Sequence, residues 1–135
     1  MVATWRIDSR LNFVHVKFSG YLDTDTLIDG FAAFTADPAW KLELDRIYDL
    51  SAVDSFDAPK FRPEEIIRAA RRVIGEDLVR SGRVVVIAGD DVAFAMHRLL
   101  AAMHGAPEGR FTVVRRSGEA AGFLGLEPAA LGGTD

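Results

Sequence analysis

Three aspartates and two serines fall within the twelve residues of YDLSAVDSFDAP, 48–59. Carboxylates that close together suit general acid–base work, or the binding of a hard cation that gathers several oxygens around itself. Asp49, Asp54 and Asp57 do not follow the spacing of a calcium loop. Asp and Ser are also the residues that turns favour, because their side chains bond the nearby backbone. The plainer expectation gives Asp49 to a strand end and the other two acids to a solvated turn. Ser51, Asp54, Ser55 and Asp57 therefore stand as candidate binding residues rather than catalytic ones. Asp90 joins them from GDD, 89–91, where Gly and Asp build a turn and cap a helix. Two carboxylates at that turn repel a phosphate.

His97 and His104 lie seven residues apart, about 10 Å along a helix axis. That separation is too great for one metal, so both are expected as partly exposed side chains and no metal site is expected. There is no G-x-S-x-G, no P-loop and no G-x-G-x-x-G behind a strand. No base–nucleophile pair can be named, and no cofactor is expected. Arg68, Arg71 and Arg72 form a basic face suited to solvent or to an acidic partner.

The remaining composition narrows the class. A chain of 135 residues with 49% hydrophobic and 27% charged residues is one ordinary globular domain. Its net charge of −4 argues against nucleic acid, which needs a basic face. It has no cysteine, which excludes disulfides, thiolate metal sites and Cys nucleophiles. MVATWRID lacks the apolar segment of a signal peptide, and no apolar run is long enough to span a membrane. The expectation is a cytoplasmic protein.

These residues must be positioned by nine elements. TWRID and NFVHVKFSG flank a turn, and the alternation of Val14, Val16 and Phe18 with His15 and Lys17 is that of a half-buried strand. Gly20 is expected to close the hairpin. Asp23 or Thr24 then caps a helix whose apolar stripe is Leu27, Phe31 and Phe34, stopped at Asp37–Pro38. A short strand, 46–50, follows. Pro63, Glu64 and Glu65 open a second helix with the stripe Ile67, Ala70, Ile74 and Leu78, ending at 81–82. RVVVIA, 83–88, is a β-branched run of the kind buried on both faces of a parallel sheet. Helix 91–104 packs the stripe Val92, Met96, Leu99 and Met103 on the sheet, which leaves Phe94, His97, Leu100 and Ala101 to its flanks and outer side. RFTVV, 110–114, is the last strand, and Ser117 opens a short closing helix. Residues 1–126 make the single domain, and 127–135 are expected as a flexible tail.

The order β-β-α-β-α-β-α-β-α implies a mixed, mostly parallel α/β sheet covered by helices. Several short motifs accompany it: Trp5 near the start, a strand ending in Ser19–Gly20, Asp37–Pro38 followed by Trp40, the strand Tyr48–Ser51, and GDDVAFAMHRLL from residue 89. Together they resemble the STAS domains of SpoIIAA-like type, and more closely a group of small bacterial SpoIIAA-like proteins. The resemblance covers nearly the whole chain. It implies a regulatory, non-enzymatic module with a protein partner. It also places the family's phosphoacceptor motif, D-S-S-G-L, at DAPKF, 57–61, where Ala58 and Pro59 stand in for both serines.

The expected function is thus a binding or interaction module without a phosphorylation switch, holding a partner protein or a second copy of itself through Phe94, His97 and Leu100. The alternative is a carrier or sensor of a small apolar ligand, since the SpoIIAA-like group is similar in fold to the lipid-binding Sec14 domains. An enzyme using the 49–57 acids comes third. Phosphosite mapping after incubation with host lysate and ATP should find segment 48–61 unmodified. Stoichiometric phosphate on Ser51 or Ser55 would overturn the absence of the switch.

Overall fold

Five strands and four helices make up the computed structural model, which describes residues 3–74, 82–105 and 109–132. They follow in the order β1 (Ala3–Asp8), β2 (Phe13–Leu22), α1 (Thr24–Thr35), β3 (Asp45–Phe56), α2 (Pro63–Ile74), β4 (Val84–Ile87), α3 (Asp91–His104), β5 (Phe111–Val114) and α4 (Ser117–Leu124). The sheet runs β1-β2-β3-β4-β5. β1 pairs antiparallel with β2, and every later pair is parallel. This is the mixed, mostly parallel sheet that the pattern predicts.

Alternation along the central strands divides the core in two. Val14, Val16, Phe18, Leu50 and Val86 face α1, α2 and α3. Phe13, Ile47, Val85 and Ile87 face α4 on the other side. The β-branched run of β4 is buried on both faces, as expected for a strand inside a parallel sheet. Val113 of β5 is only partly buried, because β5 is an edge strand.

Two strands run further than their sequences suggest. β2 continues through Gly20, and β3 reaches Phe56 instead of ending at Leu50. The extra rungs pair Ser19 with Ala52 and Leu22 with Phe56, across register shifts at 17–19 and 20–21. Gly20 takes φ +76° there, a conformation that costs glycine little. The YDLSAVDSF segment is therefore mostly strand.

The motif residues near the N-terminus form a structural tie. The Trp5 indole N–H donates to Asp37 at 2.9 Å, while the other Asp37 oxygen accepts from the Ala39 N–H at 2.9 Å. Trp40 packs edge-on against Phe34 at 5.3 Å. Asp23, with Thr26 returning a bond, closes a full capping box on α1. In α2, Ile67 and Ala70 are buried as the stripe requires, and Leu78 lies outside the described residues.

α3 is rotated relative to its expected packing. Val92, Leu99 and Met103 are exposed (51%, 48% and 40%), whereas Ala93, His97, Leu100 and His104 are buried. Both stripes recur at the same helical spacing, so periodicity alone does not choose between them. The inner one wins because His97 stacks among Phe56 and Phe61, at 5.8 and 4.9 Å, and His104 meets Phe111 edge-on at 4.9 Å. The histidines are thus core residues and not partly exposed ones.

The chain beyond α4 is anchored further than expected. Pro128–Leu131 forms a 3-10 turn that buries Leu131 against the α4 side of the core, and Arg6 donates to the Ala130 carbonyl at 2.6 Å. The flexible tail predicted from 127 is therefore held through residue 131. Truncating Ile87 to Ala should cost about 2–5 kcal/mol in denaturant melts, as deletion of a fully buried branched side chain does. A cost below about 1 kcal/mol would show that β4 is not central.

Candidate functional site

The candidate residues from the sequence do not gather in one place. Ser51, Asp54 and Asp90 meet in a cleft of about 310 Å³ where the carboxyl ends of β3 and β4 face the start of α3. Gly89 and Arg115 complete its polar edge, and Ala93 lies in its wall. Asp90 caps α3 by accepting from the Ala93 N–H at 2.9 Å. Arg115 pairs with Asp91 at 2.7 Å and lies 4.0 Å over the Phe94 ring, so Phe94 is half covered and not an open apolar patch. Ser55 is exposed on β3, away from the cleft lining. Asp57 caps the 3-10 turn Ala58–Lys60 and accepts from the Tyr21 hydroxyl at 2.6 Å. His97 and Leu100 line an interior cavity instead.

Asp49 has a partner that sequence reasoning missed. His15 reaches it from β2, with Nε2 and the carboxylate 2.8 Å apart. Burial pushes the Asp49 carboxyl up, but the bonds from His15 and Ser51 outweigh it and hold the group below the usual carboxylate range. Only the parallel register, which sets Lys17 opposite Asp49 and His15 opposite Ile47, brings this pair together. An acid–imidazole pair orients a base, but Ser51 spends its N–H on the same carboxylate at 2.9 Å. Among the described residues, no serine hydroxyl bonds the His15 imidazole. Among the described residues no group of three His, Asp or Glu side chains gathers as for a metal.

The interior cavity lies where α1, α2 and α3 meet the sheet and encloses about 40 Å³. Its wall is apolar except for Arg46, Tyr48, His97 and His104. Arg46 is fully buried on β3, with Nη2 3.3 Å from the Gly82 carbonyl. Burial pushes the Tyr48 phenol up and His97 down to about 4. The His97 Nδ1–H donates to the Ala93 carbonyl at 2.8 Å, which opposes that shift only in part. His104 is pushed down to about 4 by burial, helped by Arg46 and Arg71.

Outside, a polar groove runs between α2 and α3. Ile67 and Met103 form its apolar floor, and Glu64, Arg68, Arg71 and Arg72 its rim. The exposed row Val92, Leu99 and Met103 continues along α3, with Val73 exposed on α2. Arginine exposure on α2 was legible from the sequence. The apolar row was assigned inward, and only the packed helix shows that it faces out.

No family model and no curated protein matches this chain. Among solved structures it is similar to an uncharacterised protein of the DUF3478 family, with a SpoIIAA-like fold, from Shewanella loihica PV-4: 10% identity, 90% of this chain and 91% of that one, TM-score 0.57. It is also similar to the anti-sigma factor antagonist SpoIIAA in its unphosphorylated form, at 12% identity, 89% of this chain and 94% of that one, TM-score 0.49. The fold is SpoIIAA-like. No helix among the described residues is long and apolar enough to cross a membrane.

His97 links stability to pH. Its folded value, about 4, lies below the ordinary 6.5, so the unfolded chain takes up the proton first. The contribution is complete above pH 6.5 and is lost as pH falls toward 4. It amounts to about 3 kcal/mol. In urea melts, the stability lost between pH 7 and pH 4 should be about 3 kcal/mol smaller in His97→Phe than in the wild type; equal losses would show that His97 is not held neutral.

Proposed function

We propose that this protein is a non-catalytic interaction module of regulatory type, whose α2–α3 face docks an acidic, amphipathic segment of a partner protein. The observation that carries the reading is the exposed apolar row Val92, Leu99 and Met103 beside the exposed arginines 68, 71 and 72. An apolar row in water favours cover, and an arginine rim selects carboxylates through forked, charge-assisted bonds. A helix laid in the groove would seat apolar side chains on Ile67 and Met103 and present acids to the rim. Among the described residues, Glu64 is the single acid of that lining and would fix the orientation.

A second copy of the chain fits less well. A closed two-fold contact sets the same patch against itself, and here that brings arginine toward arginine. Regulation in this reading comes through docking, since Ala58 and Pro59 offer no hydroxyl in the turn that Asp57 caps. The reading includes a cytoplasmic setting. The catalytic alternative is weaker because, among the described residues, no nucleophile bonds the imidazole of the Asp49–His15 pair.

A photo-crosslinking residue in place of Met103, compared with one at the exposed Tyr21, tests the docking face in the host cell. Met103 should capture a partner through an acidic amphipathic peptide, identified by mass spectrometry. Reversing Arg68, Arg71 and Arg72 to Glu should reduce that capture about tenfold or more. Equal capture from both positions, capture unchanged by charge reversal, or capture only of the chain's own α2–α3 face would overturn the proposal.

A further inference from the structure

We infer that the arginine rim of the α2–α3 groove selects a phosphate. The docked partner segment carries a phosphoserine or phosphothreonine, held by Arg68, Arg71 and Arg72, beside apolar residues seated on Ile67 and Met103. This phosphate site rests on the docking face proposed for the groove, and it names the acid that the rim selects. The arginines of this chain differ in what they hold. Arg6, Arg62, Arg83 and Arg115 each pair with a carboxylate of the chain itself. Among the described residues, Arg68, Arg71 and Arg72 pair with none, although the chain carries 20 acids against 16 bases. Even Glu64, four positions before Arg68 on α2, makes no ion pair with it.

Helical spacing gathers these three charges. Arg71 and Arg72 follow Arg68 by three and four residues, which sets their Cβ atoms about 5–6 Å from its own. All three line one groove of about 570 Å³ with Ile67 and Met103. Like charges at that spacing repel, and in open solvent water and salt screen them. A segment seated on Ile67 and Met103 displaces part of that water, so the repulsion grows and the rim needs a counter-charge.

The form of that counter-charge follows from the geometry. One carboxylate brings a single charge and two oxygens. Several carboxylates crowded against one helical turn repel each other. A phosphomonoester concentrates about −1.5 to −2 charges at neutral pH, and three acceptor oxygens, on one phosphorus. That is enough for forked bonds from more than one guanidinium. Lysines would supply only point charges there, whereas arginines supply the planar fork. Glu64, at the N-terminal end of α2, repels a phosphate and confines it to the C-terminal half of the helix.

The full chain, immobilised on beads, is tested with three pools of synthetic helix-forming peptides. Each pool fixes leucines at i, i+3 and i+7, the spacing of a helix in a groove, and randomises the rest. Position i+4 carries phosphoserine, glutamate or serine. At neutral pH the phosphoserine pool should be retained about tenfold or more over the glutamate pool, the effect of an added charge-assisted bond. Changing Arg68→Gln, Arg71→Gln and Arg72→Gln together should remove that preference; all three positions are exposed. The corresponding change of all three to Lys, which keeps the charge and loses the fork, should lower it severalfold. Equal retention of the phosphoserine and glutamate pools, both lost in Met103→Glu, would overturn the phosphate and leave the docking face standing. Retention of no pool would overturn the phosphate, with crosslinking at Met103 still deciding the docking face. Phosphoserine retention unchanged in the Gln variant would overturn it as well. So would full displacement by inorganic phosphate at the peptide's own concentration, or equal capture by phosphatidylcholine vesicles carrying phosphatidic acid.

Discussion

Four parallel strands laid side by side in chain order can be joined by right-handed crossovers only if every connecting helix passes over the same face of the sheet. That constraint governs this domain. α1, α2 and α3 crowd one face, where their apolar residues close on Val14, Val16, Phe18 and Val86. The other face is left to the short α4 and the anchored turn after it, which cover Phe13, Ile47, Val85 and Ile87. Where that cover stops, β2 and β3 carry His15 and Asp49 on the less protected face, and the two pair with each other.

Crowding three helices on one face also explains where the cavity lies. Helices packed as near-cylinders on a twisted sheet fill space poorly where three of them converge, and large side chains must close the gap. Phe31, Phe34 and Tyr48 do so on the α1 side through tilted and edge-on contacts at 5.5 to 6.4 Å. Toward α3 the closing residues are polar: Arg46, His97 and His104. The core therefore carries groups whose charged forms are disfavoured by burial, as the depressed histidines show.

The rotation of α3 joins the inner and outer surfaces. Turning His97 and His104 inward leaves Val92, Leu99 and Met103 on the outside, beside the arginines of α2. The helix is apolar over most of its circumference because it serves two faces: one lines the cavity and one forms the exposed row. Phe94, between them, is neither; Arg115 covers it and ties the end of β5 to the start of α3.

Much of this was legible in the residues themselves. The order of elements, the capping box at Asp23, the doubly buried run of β4 and the basic face of α2 follow from local chemistry, since each is decided by neighbours a few positions away. The absence of a side-chain hydroxyl at Ala58 and Pro59 is equally local. The extension of β3 to Phe56, the Asp49–His15 pair, the cavity wall and the outward face of α3 were decided by tertiary structure. Each depends on which residue of a distant segment lies opposite, through the parallel register of β2 and β3 or the meeting of α3 with Phe56, Phe61 and Phe111. Two stripes of equal period on α3 have no local property that ranks them rightly: the more apolar one faces water, because the aromatic rings beneath the helix accept imidazoles that its own sequence marks as surface.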